Sequence, residues 1–156
     1  MSEIRNQRII GVIGGANPDE KALKDAFTVG HLIGENNAIL LCGGLSGVME
    51  AAARGAKEAG GLTIGVLPGF SRSDANPFID IPIVTGLGYS RNSLVAMNSD
   101  ILIAIDGQFG TLSEIAYGRI YKKKIIGLNT WNINGVIRAE SAEKAVQMAL
   151  NNTLNF

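Results

Sequence analysis

The chain has a single cysteine, Cys42, and a single histidine, His31, in 156 residues. A lone cysteine excludes an internal disulfide. One Cys and one His are too few for a Cys/His cluster, so no metal site is expected. An excess of charge of one sign is also missing. Lys plus Arg and Asp plus Glu are both 14, so no long-range field favours nucleic acid or an anionic membrane. No apolar run approaches the length of a membrane span. The opening MSEIRNQR is polar and charged, unlike a signal peptide. These absences predict a cytoplasmic chain with no nucleic-acid partner and no membrane partner. Any anion it binds must be held by local devices.

Two familiar phosphate motifs are absent as well. There is no G-x-x-x-x-G-K-[ST], which excludes a P-loop. The first turn reads G-x-x-G-G rather than G-x-G-x-x-G. The second strand ends in Leu41-Cys42 with no acidic residue for a ribose. Both features argue against a nicotinamide dinucleotide.

Glycine is what the chain has in plenty, at 20 residues. Glycines collect where a backbone turns sharply or comes close to a ligand. Around them, short apolar runs alternate with longer amphipathic stretches, the pattern of βαβ units. Strands are expected over 8–13, 38–41, 62–67, 81–84, 101–105 and 125–128. Helices are expected over 19–35, 48–59, 90–98, 112–121 and 142–150. Asn17 suits the cap of the first helix with Pro18 in its first turn, and Ser141 suits the cap of the last. The first helix shows Leu23, Phe27, Val29, Leu32 and Ile33 on or beside one face. The fold expected is a Rossmann-like α/β three-layer sandwich, with a mostly parallel sheet and helices on both faces. Residues 1–156 form one domain in this reading.

Ligands of open α/β sheets bind beyond the carboxyl ends of the strands, where strand order reverses. With the order 3-2-1-4-5-6, the first and fourth strands flank that crevice. The turns that should crowd there are Gly14–Asp19, Cys42–Gly47, Thr85–Arg91 and Asp106–Thr111, each with two or more glycines. Helix starts carry unpaired amides and a positive dipole end, and glycine lets a phosphate approach them. One such turn is explained by tight turning alone; four at one end favour a binding site. The candidate binding residues are Gly14, Gly15, Gly43, Gly44, Gly47, Gly107, Gly110 and Thr111.

Arg91 and Glu114 are the sharpest candidates for chemistry. Arg91 precedes a helix and can fork onto a phosphate or carboxylate; the plain alternative is a salt bridge to Asp100 or Glu114. Glu114 follows Thr111 by three residues, and T-x-x-E is a capping box, so the carboxylate has a structural role open to it beside a functional one. The remaining candidates are weaker. Asp106 favours a turn, or faces the pocket and repels phosphate or recruits a cation. Cys42 reads as a small buried hydrophobe, His31 as a surface or packing residue, and Trp131 as an edge or interface side chain. The stretch from Gly69 to Phe78, with Arg72, Asp74 and Asn76, reads as a surface connection, with a lid as the other reading. Lys122, Lys123 and Lys124 fall on the opposite rim.

Three stretches in order resemble the LOG-like superfamily, whose members also carry the label "possible lysine decarboxylase". They are CGGLSGVMEAAARGA, GLTIGVLPG and TGLGYSRNSLVAMNSDILIAIDGQFGTLSEIA. The resemblance runs from RIIGVIGG to the sixth strand and looks closest to the branch that includes the molybdenum cofactor carrier protein. It implies two functions. LOG enzymes hydrolyse the N-glycosidic bond of cytokinin nucleoside 5′-monophosphates, with a signature P-G-G-x-G-T-x-x-E and an upstream R-K. Here Gly107, Gly110, Thr111 and Glu114 agree, while Asp106 replaces Pro and Gln108 replaces the second Gly. Upstream, Arg91 agrees and Asn92 replaces Lys. If hydrolysis occurs, Glu114 assists water attack at the anomeric carbon and Arg91 orients the substrate.

The carrier branch binds molybdopterin cofactor, a pterin with a terminal phosphate, and performs no reaction. Lysine decarboxylation needs a pyridoxal Schiff-base lysine in a dedicated fold, and no residue here marks one. The first expectation is therefore a carrier-type binding protein for a phosphorylated heterocycle, with molybdopterin cofactor as a candidate ligand. The second is a nucleoside 5′-monophosphate phosphoribohydrolase. The resemblance also implies a homo-oligomer, a dimer or a tetramer.

Overall fold

The computed structural model describes residues 2–151; Met1 and 152–156 of the expected domain lie outside the described residues. Its strands are β1 (Ile9–Gly14), β2 (Ile39–Cys42), β3 (Thr63–Leu67), β4 (Ile81–Val84), β5 (Ile101–Ile105), β6 (Lys124–Leu128) and β7 (Val136–Arg138). Its helices are α1 (Ser2–Arg5), α2 (Glu20–Glu35), α3 (Val48–Glu58), α4 (Asn92–Asn98), α5 (Phe109–Ile120) and α6 (Ala142–Leu150). All six strand pairs are parallel, in the order β4-β3-β2-β1-β5-β6-β7.

A parallel sheet buried on both faces needs apolar side chains at consecutive positions, since neighbours along a strand point to opposite sides. That is the pattern found. Val12, Leu40, Ile103 and Ile126 pack on the face covered by α2, α3 and α6. Ile13, Leu41, Leu102 and Ile125 pack on the face covered by α4 and α5. The Rossmann-like three-layer architecture is thus present. Helices α2 and α3 approach backbone to backbone: a Cβ on Gly30 would stand 1.8 Å from the Ala52 carbonyl oxygen, and one on Gly55 2.1 Å from that of Phe27. The small residues of α3 serve this helix contact as much as the contact with the sheet.

The strand order differs from the expected 3-2-1-4-5-6. The fourth strand pairs with β3 at the edge, and β5 lies beside β1. The reason is in the sequences of the two strands. ILIAI of β5 is apolar throughout and buried at every position, as a strand paired on both sides should be. IPIV of β4 carries Pro82, which has no amide to donate and belongs at an edge. The strand order therefore reverses between β1 and β5. A seventh strand, β7, was not expected; its three residues are half-exposed to exposed and gave too short a pattern to read.

Three helix starts also differ, that of α5 falling at Phe109 where Leu112 was expected. Asp19, not Asn17, caps α2, its carboxylate accepting from the Ala22 amide at 2.8 Å, and Pro18 stays outside the helix. The helix expected from Ser90 begins as a 3₁₀ turn, Gly88–Arg91, before α4 takes over at Asn92. Ser141 caps α6 through the Lys144 amide. No helix among the described residues is long and apolar enough to cross a membrane.

Candidate functional site

Beyond the carboxyl ends of β1 and β5 lies a cleft of about 280 Å³. The turn after β1 supplies Gly14, Gly15, Ala16 and Asn17. The turn after β2 and the start of α3 supply Leu45 and Met49. The 3₁₀ turn before α4 supplies Tyr89 and Arg91, with Asn92 beside them. From the β5 turn and α5 come Asp106, Gln108, Gly110, Thr111 and Glu114. All four glycine-bearing turns converge here even though β4 is an edge strand. The turn after β4 carries the chain back across the sheet, held by the Gly86 amide on the Gly69 carbonyl and the Gly88 amide on the Pro68 carbonyl, at 2.9 and 3.0 Å.

The ten residues picked from the sequence divide into two groups. Gly14, Gly15, Arg91, Gly110, Thr111 and Glu114 line the cleft. Gly43, Gly44, Gly47 and Gly107 stand behind it and set the backbone. A Cβ on Gly43 would press on the Arg91 Nη2 and Met49 Sδ at 2.8 Å each. Gly47, at φ +71°, is tight against the Gly15 and Ala16 carbonyls, and Gly107, at φ +103°, against the Thr111 side chain. L side chains rarely adopt these dihedrals.

Arg91 is only 6% exposed. Its Nε donates to the Val66 carbonyl at 2.8 Å, its Nη2 to the Gly43 carbonyl at 3.3 Å, and its Nη1 to the Asn92 side-chain oxygen. Neither alternative salt bridge forms: Asp100 instead accepts from the Ile9 amide at 2.8 Å, and no ion pair of Arg91 occurs among the described residues. Burial draws the Arg91 pKa down, while the Glu114 charge opposes that shift. Asn92 is clamped in turn, its Nδ2 donating to Ser113 Oγ at 2.9 Å. Where the resemblance expects a lysine, this chain has an amide that joins Arg91 to α5.

Glu114 is 7% exposed and accepts no hydrogen bond among the described residues. Burial pushes its carboxyl up to about 8, with the Arg91 charge pulling the other way. The capping box does not form, because α5 begins at Phe109 and Thr111 lies inside its first turn. Glu114 is therefore free of that structural duty.

The helix starts do not all serve the cleft. Asp19 occupies that of α2, the Val48 amide of α3 donates to the Gly15 carbonyl at 3.0 Å, and α4 continues a 3₁₀ turn. Helix α5 begins on the cleft wall with neither a side-chain cap nor a preceding 3₁₀ turn. Its first amides have no partner within the helix, and a Cβ on Gly110 would meet nothing closer than Asn92 Nδ2 at 4.0 Å. This helix start faces open space in the cleft.

Other predicted residues fall as follows. Asp106 holds φ +52° and lines the cleft, its carbonyl accepting from Thr130 Oγ1 at 2.7 Å. Cys42 is buried with its thiol pushed up to about 12, so it is no thiolate nucleophile. His31 sits on α2, stacked with Phe27. Trp131 donates to the Gln108 carbonyl at 3.1 Å and tilts against Phe109 at the rim. Among the described residues no group of three or more His, Cys, Asp or Glu is placed to hold a metal ion. The reading of the sequence passed over Tyr89 and Met49, and named Asn76 only as part of the Gly69–Phe78 connection. Tyr89 carries a signal in hindsight, an aromatic beside Arg91 in a glycine-rich turn. Asn76, buried in the loop between β3 and β4, donates to the Leu45 carbonyl at 2.8 Å and so pins that loop to the second glycine turn.

A model of the SLOG cluster4 family matches residues 7–155. The molybdenum cofactor binding protein of the phototrophic bacterium Rippkaea orientalis has a similar structure, with TM-score 0.88 and 38% identity, over 93% of this chain and 96% of that one. The molybdenum cofactor carrier protein of Chlamydomonas reinhardtii gives TM-score 0.83 and 37% identity, over 93% and 97%. A cytokinin riboside 5′-monophosphate phosphoribohydrolase of Mycobacterium tuberculosis is 29% identical over 88% of this chain and 79% of its own length.

Proposed function

We propose that this chain, which belongs to the SLOG cluster4 family, is a carrier-type binding protein for a phosphorylated heterocycle of the molybdopterin or nucleotide kind. The observation that carries this is Arg91, a buried cation on the cleft wall with no carboxylate in ion-pair contact among the described residues. A buried charge without a counter-charge is costly, and an arriving anion offsets that cost. Beside it, the uncapped start of α5 and the open face of Gly110 offer amides to a phosphate. Gly14, Gly15, Gly110 and Thr111 contact the ligand in this reading; Gly43, Gly44, Gly47 and Gly107 hold the turns that present them.

Two features favour carriage over catalysis. With its carboxyl raised to about 8, Glu114 is largely un-ionised at neutral pH and is a poor base there. Among the described residues it also has no hydrogen-bond partner to orient it. A neutral carboxyl, on the other hand, tolerates a phosphate nearby. Two similar structures, those of Rippkaea orientalis and Chlamydomonas reinhardtii, are named for binding or carrying molybdenum cofactor. A cytoplasmic setting suits a free, buried cysteine.

The second reading, phosphoribohydrolase, is favoured by Arg91 and Glu114 lying on one wall and by the Mycobacterium tuberculosis relative. One experiment separates the two. The protein is incubated with a panel of nucleoside 5′-monophosphates, and free base is measured alongside saturable binding of molybdopterin and of each nucleotide. Saturable binding with no base released is expected. Base release that disappears in Glu114→Ala would overturn the carrier reading, and no binding of any panel member would overturn both.

A further inference from the structure

One carboxylate in the cleft has no duty in the fold. Asp106 follows β5 directly and is half-buried on the cleft wall. Its main chain is pinned on both sides, the amide donating to the Leu128 carbonyl at 3.1 Å and the carbonyl accepting from Thr130 Oγ1 at 2.7 Å. It holds φ +52°, a conformation that Asp tolerates when its short side chain bonds locally. Here it does not. Among the described residues the Asp106 carboxylate accepts no hydrogen bond and joins no ion pair. It points at the turn after β1, where a Cβ on Gly15 would stand 3.3 Å from Oδ2.

A free carboxylate is out of place in a site for a bare anion, because it repels the phosphate that Arg91 and the start of α5 attract. Arg91 does not neutralise it, since the guanidinium is spent on Val66, Gly43 and Asn92. A divalent cation at Asp106 would need several further oxygen ligands. Among the described residues no group of three or more His, Cys, Asp or Glu is placed to hold one. The cleft thus carries an unpaired cation on one turn and an unpaired carboxylate on another. It complements a ligand that is anionic at one end and offers N–H donors at the other.

Two coplanar carboxylate oxygens match two parallel N–H donors. In heterocycles that pair is the edge of a 2-amino-4-oxopyrimidine ring, a ring N–H beside an exocyclic amine, and guanine and the pterins share it. Adenine sets an acceptor nitrogen beside its amine, which faces a carboxylate oxygen unfavourably. Hypoxanthine keeps the ring N–H and lacks the amine. We infer that Asp106 is the specificity residue of the cleft, its carboxylate accepting both hydrogen bonds from the 2-amino-4-oxopyrimidine edge of a phosphorylated ligand. Ala16, Leu45 and Met49 line the same cleft and offer the ring an apolar surface. The inference rests on the cleft being the ligand site. It narrows the ligand to the guanine and pterin class and sets adenine nucleotides aside.

The test is calorimetric titration of the full chain at constant ionic strength. The probes are GMP and neopterin monophosphate, each beside its analogue without the 2-amino group (IMP for GMP), together with AMP and ribose 5-phosphate. GMP, neopterin monophosphate or both are expected to bind about tenfold or more tightly than the matching analogue and AMP. Which of the two does so identifies the source of the edge. Asp106→Asn accepts the same φ but offers one acceptor and one donor in place of two acceptors. In that variant the preference is expected to vanish. Ribose 5-phosphate is expected to bind it about two- to fivefold more tightly than the wild type, because a repelling charge has gone. Should Asp106→Asn fail to fold, Asp106→Gly, which is relaxed at positive φ, takes its place.

Equal binding of each aminated probe and its analogue, with ribose 5-phosphate still bound, overturns this inference and leaves the cleft as an anion site. A preference that survives in the folded variant overturns it too. So does binding that EDTA abolishes and Mg²⁺ restores, because the carboxylate then holds a cation. No binding of any probe, ribose 5-phosphate included, overturns the ligand site itself along with the role of Asp106.

Discussion

Arg91 and Glu114 share one wall of the cleft, both buried, yet the guanidinium gives its hydrogen bonds to Val66, Gly43 and Asn92 and none to the carboxylate. The charge is thereby held by neutral oxygens rather than by the carboxylate, while burial favours the neutral form of the neighbouring acid. Glu114 moderates the cleft's positive potential only as its proton leaves.

Replacing Arg91 by Lys tests the fork. A lysine keeps the charge but cannot reach the Val66 and Gly43 carbonyls and Asn92 together. A hydrogen bond from the guanidinium to the anion is worth about 1.5–3 kcal/mol, and every ~1.4 kcal/mol is tenfold in affinity, so losing one such bond is expected to weaken anion binding about 10–100-fold. Calorimetric titration with molybdopterin or a nucleotide measures it. Unchanged affinity in Arg91→Lys removes the guanidinium from the site.

Glu114 sets a pH dependence whose sign is fixed by its raised pKa. The carboxyl releases its proton near about 8 in the folded chain, against about 4.3 in the unfolded chain. Between those values the unfolded chain is ionised and the folded chain is not. Folding then takes up a proton, and stability falls as pH rises through the window, levelling off above the folded value. Glu114→Gln removes this slope. Its Tm is expected to exceed the wild type's by several degrees at pH near 9 and to converge with it near pH 5, at roughly 2–4 °C per kcal/mol. Ligand affinity should fall above about pH 8 in the wild type alone, as the carboxylate forms beside the anion. Parallel melting curves across that range would sink the idea.

Two glycines should separate binding from folding. Gly110→Ala adds a methyl into open space on the cleft wall and favours the helix by up to about 1 kcal/mol. Its Tm should hold or rise while ligand affinity drops by tenfold or more. Gly47→Ala puts a Cβ 2.4 Å from the Gly15 carbonyl oxygen at φ +71°. It is expected to cost about 1–3 kcal/mol of stability, read by chemical denaturation. Loss of stability in Gly110→Ala with affinity intact would reverse the assignment.

Asn76→Ala removes the side chain that ties the β3–β4 loop to the second glycine turn and strips the Leu45 carbonyl of its partner. The acceptor is part-buried, so leaving it unpaired is expected to cost about 1 kcal/mol, the low end for a lost hydrogen bond to a buried group. Faster amide exchange over residues 69–80 should accompany that loss. Exchange rates equal to wild type would show the loop is held by other contacts.

The layered α/β architecture was legible in the sequence because local signals are sufficient for it. Consecutive apolar residues in ILIAI and AILL can only satisfy a strand buried on both faces, and Ser141 names its own helix start. Strand order was not legible in the same way. It depends on which strands compete for the centre, and Pro82 argues only against a central place for β4; pairing decides where it goes. The cap of α2 was misassigned between Asn17 and Asp19, two residues of similar capping ability, because the choice depends on where the preceding turn delivers the chain.

By itself the sequence determined the strands, the glycine-bearing turns at one end of them, and Arg91 and Glu114 as the charged pair among those turns. Hydrophobic periodicity and glycine's missing Cβ act over a few residues, so they can be read without a fold. Only the tertiary structure decided that β1 and β5 flank the cleft and that Gly43, Gly44, Gly47 and Gly107 support rather than line it. It alone freed Glu114 from capping, left Arg91 without an ion pair among the described residues, and set the uncapped start of α5 on the cleft wall. Those outcomes depend on burial and on contacts between residues far apart in the chain, and no local pattern encodes the space between them.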